Sequence, residues 1–400
     1  QHRPDGARPG RGGDLGMSTR PGEVQAFLEG EWRAWGVPAP AAERAAWERV
    51  LEPARIVSRA EDGQMVAAAA TVPGTLTVPG SEMPIAIVVS AWVSATHRRR
   101  GLLRRLMREH LDLLHGDGVG VVVLVPAESG IYRSYGFGSA CPVATVRLPA
   151  RARGFDSDRQ VRLVSEEAAR GPMAAAYERA RQVYPGMLGR DPAWWTCTLA
   201  EAGADGTLFF ALHPDGFAVY SVEQRWVDNL PDDTVTVHEL VANTEAAYRA
   251  LWRHCLDLDL AARVVAHNRP LDEPLLHLLA DPRRLRQRPV DLLHVRLLDV
   301  EPALGARRYA DGGSVVIEVE DEFCPWNRGS YRLEAAGCRR TADAPEISLD
   351  AAALGSIFLG GVSVDSLWRA GRVRECAPSG VMRADRLFAW SPRPWLSWSY

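Results

Sequence analysis

Residues 83–127 constrain the fold more than any other stretch of the chain. The run "MPIAIVVSAWVS" (83–94) is apolar at consecutive rather than alternate positions, as a strand covered on both faces must be. It enters "ATHRRRGLLRRLM" (95–107), where Leu102, Leu103 and Leu106 supply the inner face of a helix, and a second continuous apolar run, "VGVVVLVPA" (119–127), follows. Strand, turn, helix and strand in that order place two central strands in an α/β sheet. The turn also carries chemistry. Gly101 permits close approach to the backbone, Arg98, Arg99 and Arg100 precede it, and Arg104 follows. A helix starting here presents unpaired N–H groups and the positive end of its dipole to an anion. On spacing alone, a phosphate-binding turn and a solvated basic turn fit equally well. The G-x-G-x-x-G of a dinucleotide fold and the G-K-[ST] of a P-loop are absent, which disfavours both.

A 400-residue chain exceeds the size at which one core keeps growing, so two or three domains are expected. The net charge is −3 and the basic residues are scattered, which argues against a nucleic-acid partner. No apolar run reaches the roughly 18 residues of a membrane span, and the first residues lack a signal-peptide core. A cytoplasmic protein is therefore expected, with residues 1–16 as a disordered leader. All 47 basic residues are Arg, so no Lys is present to act as nucleophile, Schiff-base former or P-loop ligand. The six cysteines form no C-x-x-C pair and read as buried, reduced thiols, with no metal site.

The organisation reads as three blocks. Residues 17–155 hold two helices, strands and the strand–helix–strand unit just described. Residues 156–290 repeat the strand–helix–strand logic in "DTVTVHELVANTEAAYRALW" without an Arg-Gly turn. Residues 291–400 read as a small α+β domain of hairpins followed by helices. They end on "FAWSPRPWLSWSY", and a terminus this aromatic is expected to dock in something apolar.

The stretch "VSATHRRRGLLRRLM" is similar to the acetyl-CoA-binding turn of the GNAT acetyltransferases, with Leu103 in the last position of an R/Q-x-x-G-x-G/A pattern. With "ESGIYRSYGFGSA", "ALHPDGFAVY", "LGSIFLGG" and the aromatic C-terminus, nearly the whole chain from Met17 resembles the Eis-type N-acetyltransferases. The resemblance implies an α/β and α+β architecture. A catalytic GNAT domain and a second GNAT-like domain without a cofactor site precede a sterol-carrier-protein-like C-terminal domain. It also implies a homohexamer and acetyl-CoA as co-substrate.

Carried over residue by residue, the resemblance assigns pantetheine and thioester contacts to the backbone of Ala91, Trp92 and Val93. It assigns the pyrophosphate to Arg98, Arg99, Arg100, Gly101, Leu102, Leu103 and Arg104, and the second wall of the cofactor site to Ala127 and Glu128. Tyr132 matches the general acid, with Tyr135 as a rival phenol; a phenol, which titrates near ~10, keeps its proton at neutral pH. The terminal carboxylate of Tyr400 would take the proton from the substrate ammonium, which burial must prepare by raising a pKa of ~3.5. Direct transfer follows: the amine attacks the thioester carbonyl, donors near Val93 hold the oxyanion, and Tyr132 protonates the departing sulfur. Cys141 is expected to be core.

Acids that line the pocket in aminoglycoside-acetylating relatives fall here at Val37 and Ser399, with Trp32, Trp35, Trp92, Trp395 and Trp398 as possible walls. The expected substrate is accordingly a less charged, aromatic or hydrophobic small-molecule amine. Aminoglycoside or protein-lysine acetylation is the alternative within the class. Outside it stand a hydrophobic-ligand carrier and a non-catalytic acyl-CoA-binding protein.

Overall fold

Alternate facing of buried residues along one strand, Ser81–Val93, organises the first unit. It comprises α1 (Glu23–Trp35), α2 (Ala41–Val50), β1 (Arg55–Glu61), β2 (Gln64–Val78), β3 (Ser81–Val93), α3 (Leu102–Gly116), β4 (Val121–Leu124), α4 (Ser129–Arg133) and β5 (Gly138–Pro149). Ile85 and Ile87 of β3 and Val121 and Val123 of β4 join Phe27 and Leu28 of α1 on one face of the sheet. Ala86, Val88, Val122 and Leu124 meet Met107, Leu111 and Leu114 of α3 on the other. The continuous apolar run thus resolves into two period-2 sets, each covered by a helix. This is a computed structural model; it describes residues 22–36, 41–158, 160–204, 206–309, 313–335 and 337–399. The expected leader, Val37 and Tyr400 lie outside the described residues.

The second unit follows with β6 (Arg162–Val164), α5 (Glu166–Arg181), α6 (Pro192–Ala202), β7 (Phe209–His213) and β8 (Gly216–Glu223). A short ribbon of β9 (Trp226–Val227) and β10 (Leu230–Pro231) leads to β11 (Asp233–Ala242), α7 (Glu245–Leu256), β12 (Ala261–Arg269), α8 (Leu275–Leu278) and β13 (Arg286–Leu297). The two units share one eleven-stranded sheet, ordered β1-β2-β3-β4-β13-β5-β12-β11-β8-β7-β6. Its middle is a reciprocal exchange. β13, the last strand of the second unit, pairs antiparallel with β4 of the first, and β5, the last strand of the first, pairs with β12 of the second. A division at residue 290 would cut β13, which bonds to β4 and β5 on its two edges; the junction with the third domain therefore falls after Leu297.

The third domain contains α9 (Val300–Ala306), β14 (Ser314–Glu320), β15 (Gly329–Glu334), β16 (Gly337–Thr341), β17 (Ile347–Asp350), α10 (Ala351–Ile357), α11 (Val364–Arg369), β18 (Val373–Glu375) and α12 (Gly380–Phe388). Its sheet runs β16-β15-β14-β17-β18. α10 packs directly on β5 and β13, and glycines permit the approach: a Cβ on Gly355 would meet the Val295 carbonyl at 2.2 Å, and one on Gly138 the Ala352 carbonyl at 1.9 Å. No helix among the described residues is long and apolar enough to cross a membrane.

Candidate active site

One extra residue in β3 opens the candidate site. Ser90 pairs with Ala70 and Val88 with Thr71, which leaves Val89 as a bulge. The bulge inverts the alternation beyond it, so Trp92 leaves the α3 face that an unbroken strand would give it and packs on Phe27 of α1, ring centroids 6.1 Å apart. β4 accompanies β3 only from Ala86–Val122 to Val88–Leu124, so Val89 to Val93, including Ala91, have no strand neighbour on that edge. The unpaired backbone groups of this splay are what a pantetheine amide chain requires.

The turn from Ser94 to Gly101 ends the open edge. Gly101 is the left-handed N-cap of α3, with φ 73°, and the first helical bond runs from the Arg105 N–H to the Gly101 carbonyl. The N–H groups of Leu102, Leu103 and Arg104 therefore have no intrahelical acceptor. Arg99 also has a positive φ, 61°, and among the described residues its guanidinium makes no hydrogen bond or ion pair. Arg98 has a different role: it donates to the Ala34 carbonyl at 3.0 Å and the Val93 carbonyl at 3.4 Å, tying the end of α1 to the turn. Arg100 bonds the Thr96 carbonyl at 3.2 Å, and Arg104 lies over the Phe323 ring at 5.3 Å. The backbone N–H groups that open α3, Arg99 and Arg104 are thus the parts of the turn without a hydrogen-bonding partner among the described residues.

Ala127 and Glu128 are exposed beyond β4 and lead into α4, which carries Tyr132. The Tyr132 ring is held edge-on by Tyr135 and Phe137, at 6.4 and 6.1 Å. Burial, with the neighbouring Tyr135 phenol and Glu128 carboxylate, pushes its pKa up to about 12, so the phenol holds its proton across the neutral range. Tyr135 is buried against Phe323, at 5.1 Å. Of the two phenols, Tyr132 is half-buried and Tyr135 buried. Cys141 is fully buried, and burial raises its thiol well above the usual range, as a core residue requires.

The tail packs against the second unit. Trp395, Leu396, Ser397 and Trp398 are all buried. Trp398 donates its indole N–H to the Tyr177 hydroxyl at 2.8 Å and packs on Trp194 at 5.3 Å, while Trp395 donates its indole N–H to the Asn268 carbonyl at 2.7 Å. Of the tryptophans expected as walls, Trp92 and Trp395 are absorbed in packing. Trp32 is half-buried under the Arg44 guanidinium, 4.3 Å from its ring, and Trp35 is 52% exposed. Trp398 and Ser399 line a cavity of about 220 Å³ with Arg190, Glu201, His238, Glu239 and His267.

Three carboxylates at the seam between the units were missed in the sequence. Glu31 on α1 bonds Ser90, the residue after the β3 bulge; burial raises its pKa, and Glu43 on α2 adds to the rise. Glu43 is itself raised by burial. Glu201 on α6 accepts from the Trp47 indole N–H at 3.1 Å. Burial, then Glu43 and Glu31, push its pKa to about 7. None of the three forms an ion pair among the described residues. A signal existed for Glu31: it follows Phe27 by one helical turn, a charge on the apolar face. Glu43 and Glu201 become visible only when α2 packs on α6. Of the three, Glu201 also lines the cavity beside Trp398 and Ser399.

Comparison with known proteins agrees with this architecture. Residues 18–140 and 186–297 each match an acetyltransferase (GNAT) domain, and residues 300–397 match a sterol carrier protein domain. N-acetyltransferase Eis of Mycobacterium tuberculosis is 37% identical over 335 residues, covering 78% of this chain and 80% of that protein. The chain belongs to the Eis family of GNAT N-acetyltransferases. An uncharacterized N-acetyltransferase of Streptomyces avermitilis is 35% identical over 402 residues, covering 94% of this chain and 98% of the relative. The crystal structure of Eis1 from Mycobacterium abscessus superposes with a TM-score of 0.85 at 36% identity, over 96% of this chain and 99% of that one. A GCN5-related N-acetyltransferase from Anabaena variabilis, at 19% identity and a TM-score of 0.80, shares the fold. Membership in the Eis family makes the chain an acyltransferase with two GNAT domains and a sterol-carrier-like third domain. Acetyl-CoA is the acetyl donor of GNAT enzymes.

Proposed function

We propose that this chain transfers the acetyl group of acetyl-CoA directly to a primary amine of a small molecule. What supports the reading is three features of the first unit: the unpaired backbone of β3 after the Val89 bulge, the left-handed turn at Gly101, and the protonated phenol of Tyr132, which packs with Leu103 on the cluster of Val88 and Leu124. The residues present fit the donor. Backbone N–H groups at the start of α3 and the Arg99 guanidinium suit a pyrophosphate, and the splayed edge of β3 suits an amide-bearing arm. Acetyl-CoA supplies an activated thioester, and the chain supplies position and protons. Tyr132 holds the proton for the departing thiolate, and the terminal carboxylate of Tyr400 accepts the proton of the substrate ammonium.

The acceptor amine is better described as cationic than as merely hydrophobic. Glu31, Glu43 and Glu201 are half-buried, mutually repelling and without ion pairs among the described residues, so an ammonium group relieves both their repulsion and their desolvation. The Trp398 ring lines the same cavity as Glu201, which suits an apolar portion beside that charge.

The test is thiol release from acetyl-CoA with a panel of mono- and polyamines, with mass detection of the added acetyl group. Turnover of a small amine is expected, and no release with any amine returns the chain to an acyl-CoA binder or carrier. One residue added after Tyr400 should abolish turnover with acetyl-CoA affinity unchanged; full turnover in the extended chain removes the terminal carboxylate from the mechanism.

A further inference from the structure

The second unit contains the same opening as the first, and it is not empty. β11 carries a bulge at His238, because Val237 pairs with Tyr220 and Glu239 with Val219. β12 runs parallel to β11 from Asp233–Ala261 only as far as Val237–Ala266, after which the strands part. The bulge again inverts the alternation: Val235 and Val237 face α7 and its Trp252, but the turn of register puts Glu239 on the opposite side with Val241. Glu239 is the first residue after its bulge, as Ser90 is after the bulge at Val89. In the first unit this position borders the cofactor opening.

In the second unit the chain's own C-terminal segment fills the gap. Trp395 donates its backbone N–H to the Pro185 carbonyl at 2.8 Å and its indole N–H to Asn268, near the end of β12, at 2.7 Å. Ser397 donates to Glu239 Oε1 at 2.6 Å, while Arg190 donates to Glu239 Oε2 at 2.8 Å. The ion pair is almost fully enclosed, with side chains 1% and 5% exposed, and the Arg190 guanidinium lies 3.5 Å over the Trp195 ring and 5.0 Å from Trp398. A buried carboxylate is costly unless each oxygen is satisfied, so Glu239 is committed to Arg190 on one oxygen and to the tail on the other.

We propose that the second unit is a positioning device: its open strand pair is the slot for the chain's own tail, with Glu239, Arg190 and Ser397 as the latch that fixes where the last carboxylate sits. Glu239, Arg190 and Ser397 are positioning residues, since they act through Tyr400. This rests on the terminal carboxylate taking part in the reaction. It explains why a unit without a phosphate turn keeps a splayed strand pair, and why the tail ends in large rings that hold their place at little entropic cost.

The test uses the full chain with Ser397→Ala and Glu239→Gln. Losing a hydrogen bond to a charged acceptor is worth about tenfold or more. The expected result is at least that increase in hydrogen exchange of the 395–399 amides and a comparable fall in kcat. KM for acetyl-CoA should stay unchanged, and Ser397→Thr, which restores the hydroxyl, should recover both. Ser397→Ala leaves the Arg190–Glu239 pair intact, so it carries the test if Glu239→Gln fails to fold. Unchanged exchange in Ser397→Ala overturns the latch, and so does raised exchange with wild-type kcat. The chain extended after Tyr400 separates the two ideas. If it is inactive while a released tail still supports full kcat, the latch falls and the terminal carboxylate stands; if it is fully active, the carboxylate itself is eliminated.

Discussion

The first and second units are two executions of one plan that end in opposite uses. Each has a bulged strand, a parallel neighbour that stops early, and a helix returning over the sheet. In the first, residues 94–101 separate strand and helix and turn through a left-handed glycine. In the second, only Asn243 and Thr244 do so: the Thr244 side chain caps α7, Asn243 bonds the Ala176 and Asp215 carbonyls, and Glu245 puts a negative charge at the helix start. The start of the second helix thus has its Ala247 N–H filled and a carboxylate beside it, both of which disfavour an anion. Function on this shared fold is set by a connection and by what occupies the gap, not by the sheet.

The most drastic way to break the comparison is to deny the units their shared strand. Val295 of β13 pairs with Val123 on one side and Gly138 on the other and is fully buried. Val295→Pro removes a ladder bond in the middle of the sheet, where proline is not accommodated. It should abolish both cooperative folding and acetyl-CoA binding. Leu163→Pro, on the outer strand β6 at a residue 56% exposed, should leave acetyl-CoA binding intact. A Val295→Pro chain with a wild-type circular dichroism spectrum and thermal transition would sink the interlocked sheet.

Next in size is Tyr132→Phe, which should lower kcat by about 10²-fold or more with little change in KM for acetyl-CoA. At the end of β12 the second unit has a buried Arg269–Glu273 pair at 2.8 Å. Wild-type turnover in the phenylalanine variant would assign the acid to another group.

How much of this was readable beforehand differs by element. The strand–turn–helix over 83–116 declared itself, because a two-faced apolar strand, a glycine and a leucine-spaced helix are local patterns. The docking of the tail was legible from Trp395 and Trp398, since an aromatic terminus needs apolar cover. The reciprocal exchange of β5 and β13 was not, because either strand satisfies its hydrophobic pattern against any neighbour. Nor was the role of Arg98, whose charge suggested phosphate while its geometry ties it to the Ala34 carbonyl. The seam acids escaped for a related reason: Glu31, Glu43 and Glu201 are ordinary helix residues until α1, α2 and α6 meet, and only then does burial make them notable.

Those acids give the third prediction. The Glu201 pKa lies near 7 against an ordinary value of 4.5, so its ionisation opposes folding: the protonated form is favoured in the native state. Its contribution is fully present below pH about 4.5 and is lost as pH rises through about 7. Glu201→Gln should therefore raise unfolding stability at pH 8 by up to about 3 kcal/mol, and the gain should vanish in acid. The same variant should weaken a cationic amine by raising its KM above pH 7, where wild-type Glu201 is ionised. Equal stability at pH 8 and unchanged KM would remove Glu201 from amine recognition.

The finest test compares the two helix starts directly. A Cβ at Gly101 meets nothing within 4 Å, so Gly101→Ala adds no clash and charges only the left-handed φ of 73°, about 1–2 kcal/mol. Because bound phosphate needs that turn in place, the cost should appear as an acetyl-CoA Kd raised by up to about tenfold. Thr244→Ala removes the cap in which the Thr244 hydroxyl accepts from the Ala247 N–H at 3.2 Å, and should cost about 1 kcal/mol of stability. Yet its acetyl-CoA Kd should not move if the phosphate turn lies in the first unit, as proposed. Two substitutions of similar energetic size would then separate cleanly, one in affinity and one in stability. If Thr244→Ala weakened acetyl-CoA as much as Gly101→Ala does, the division of labour between the units would be wrong.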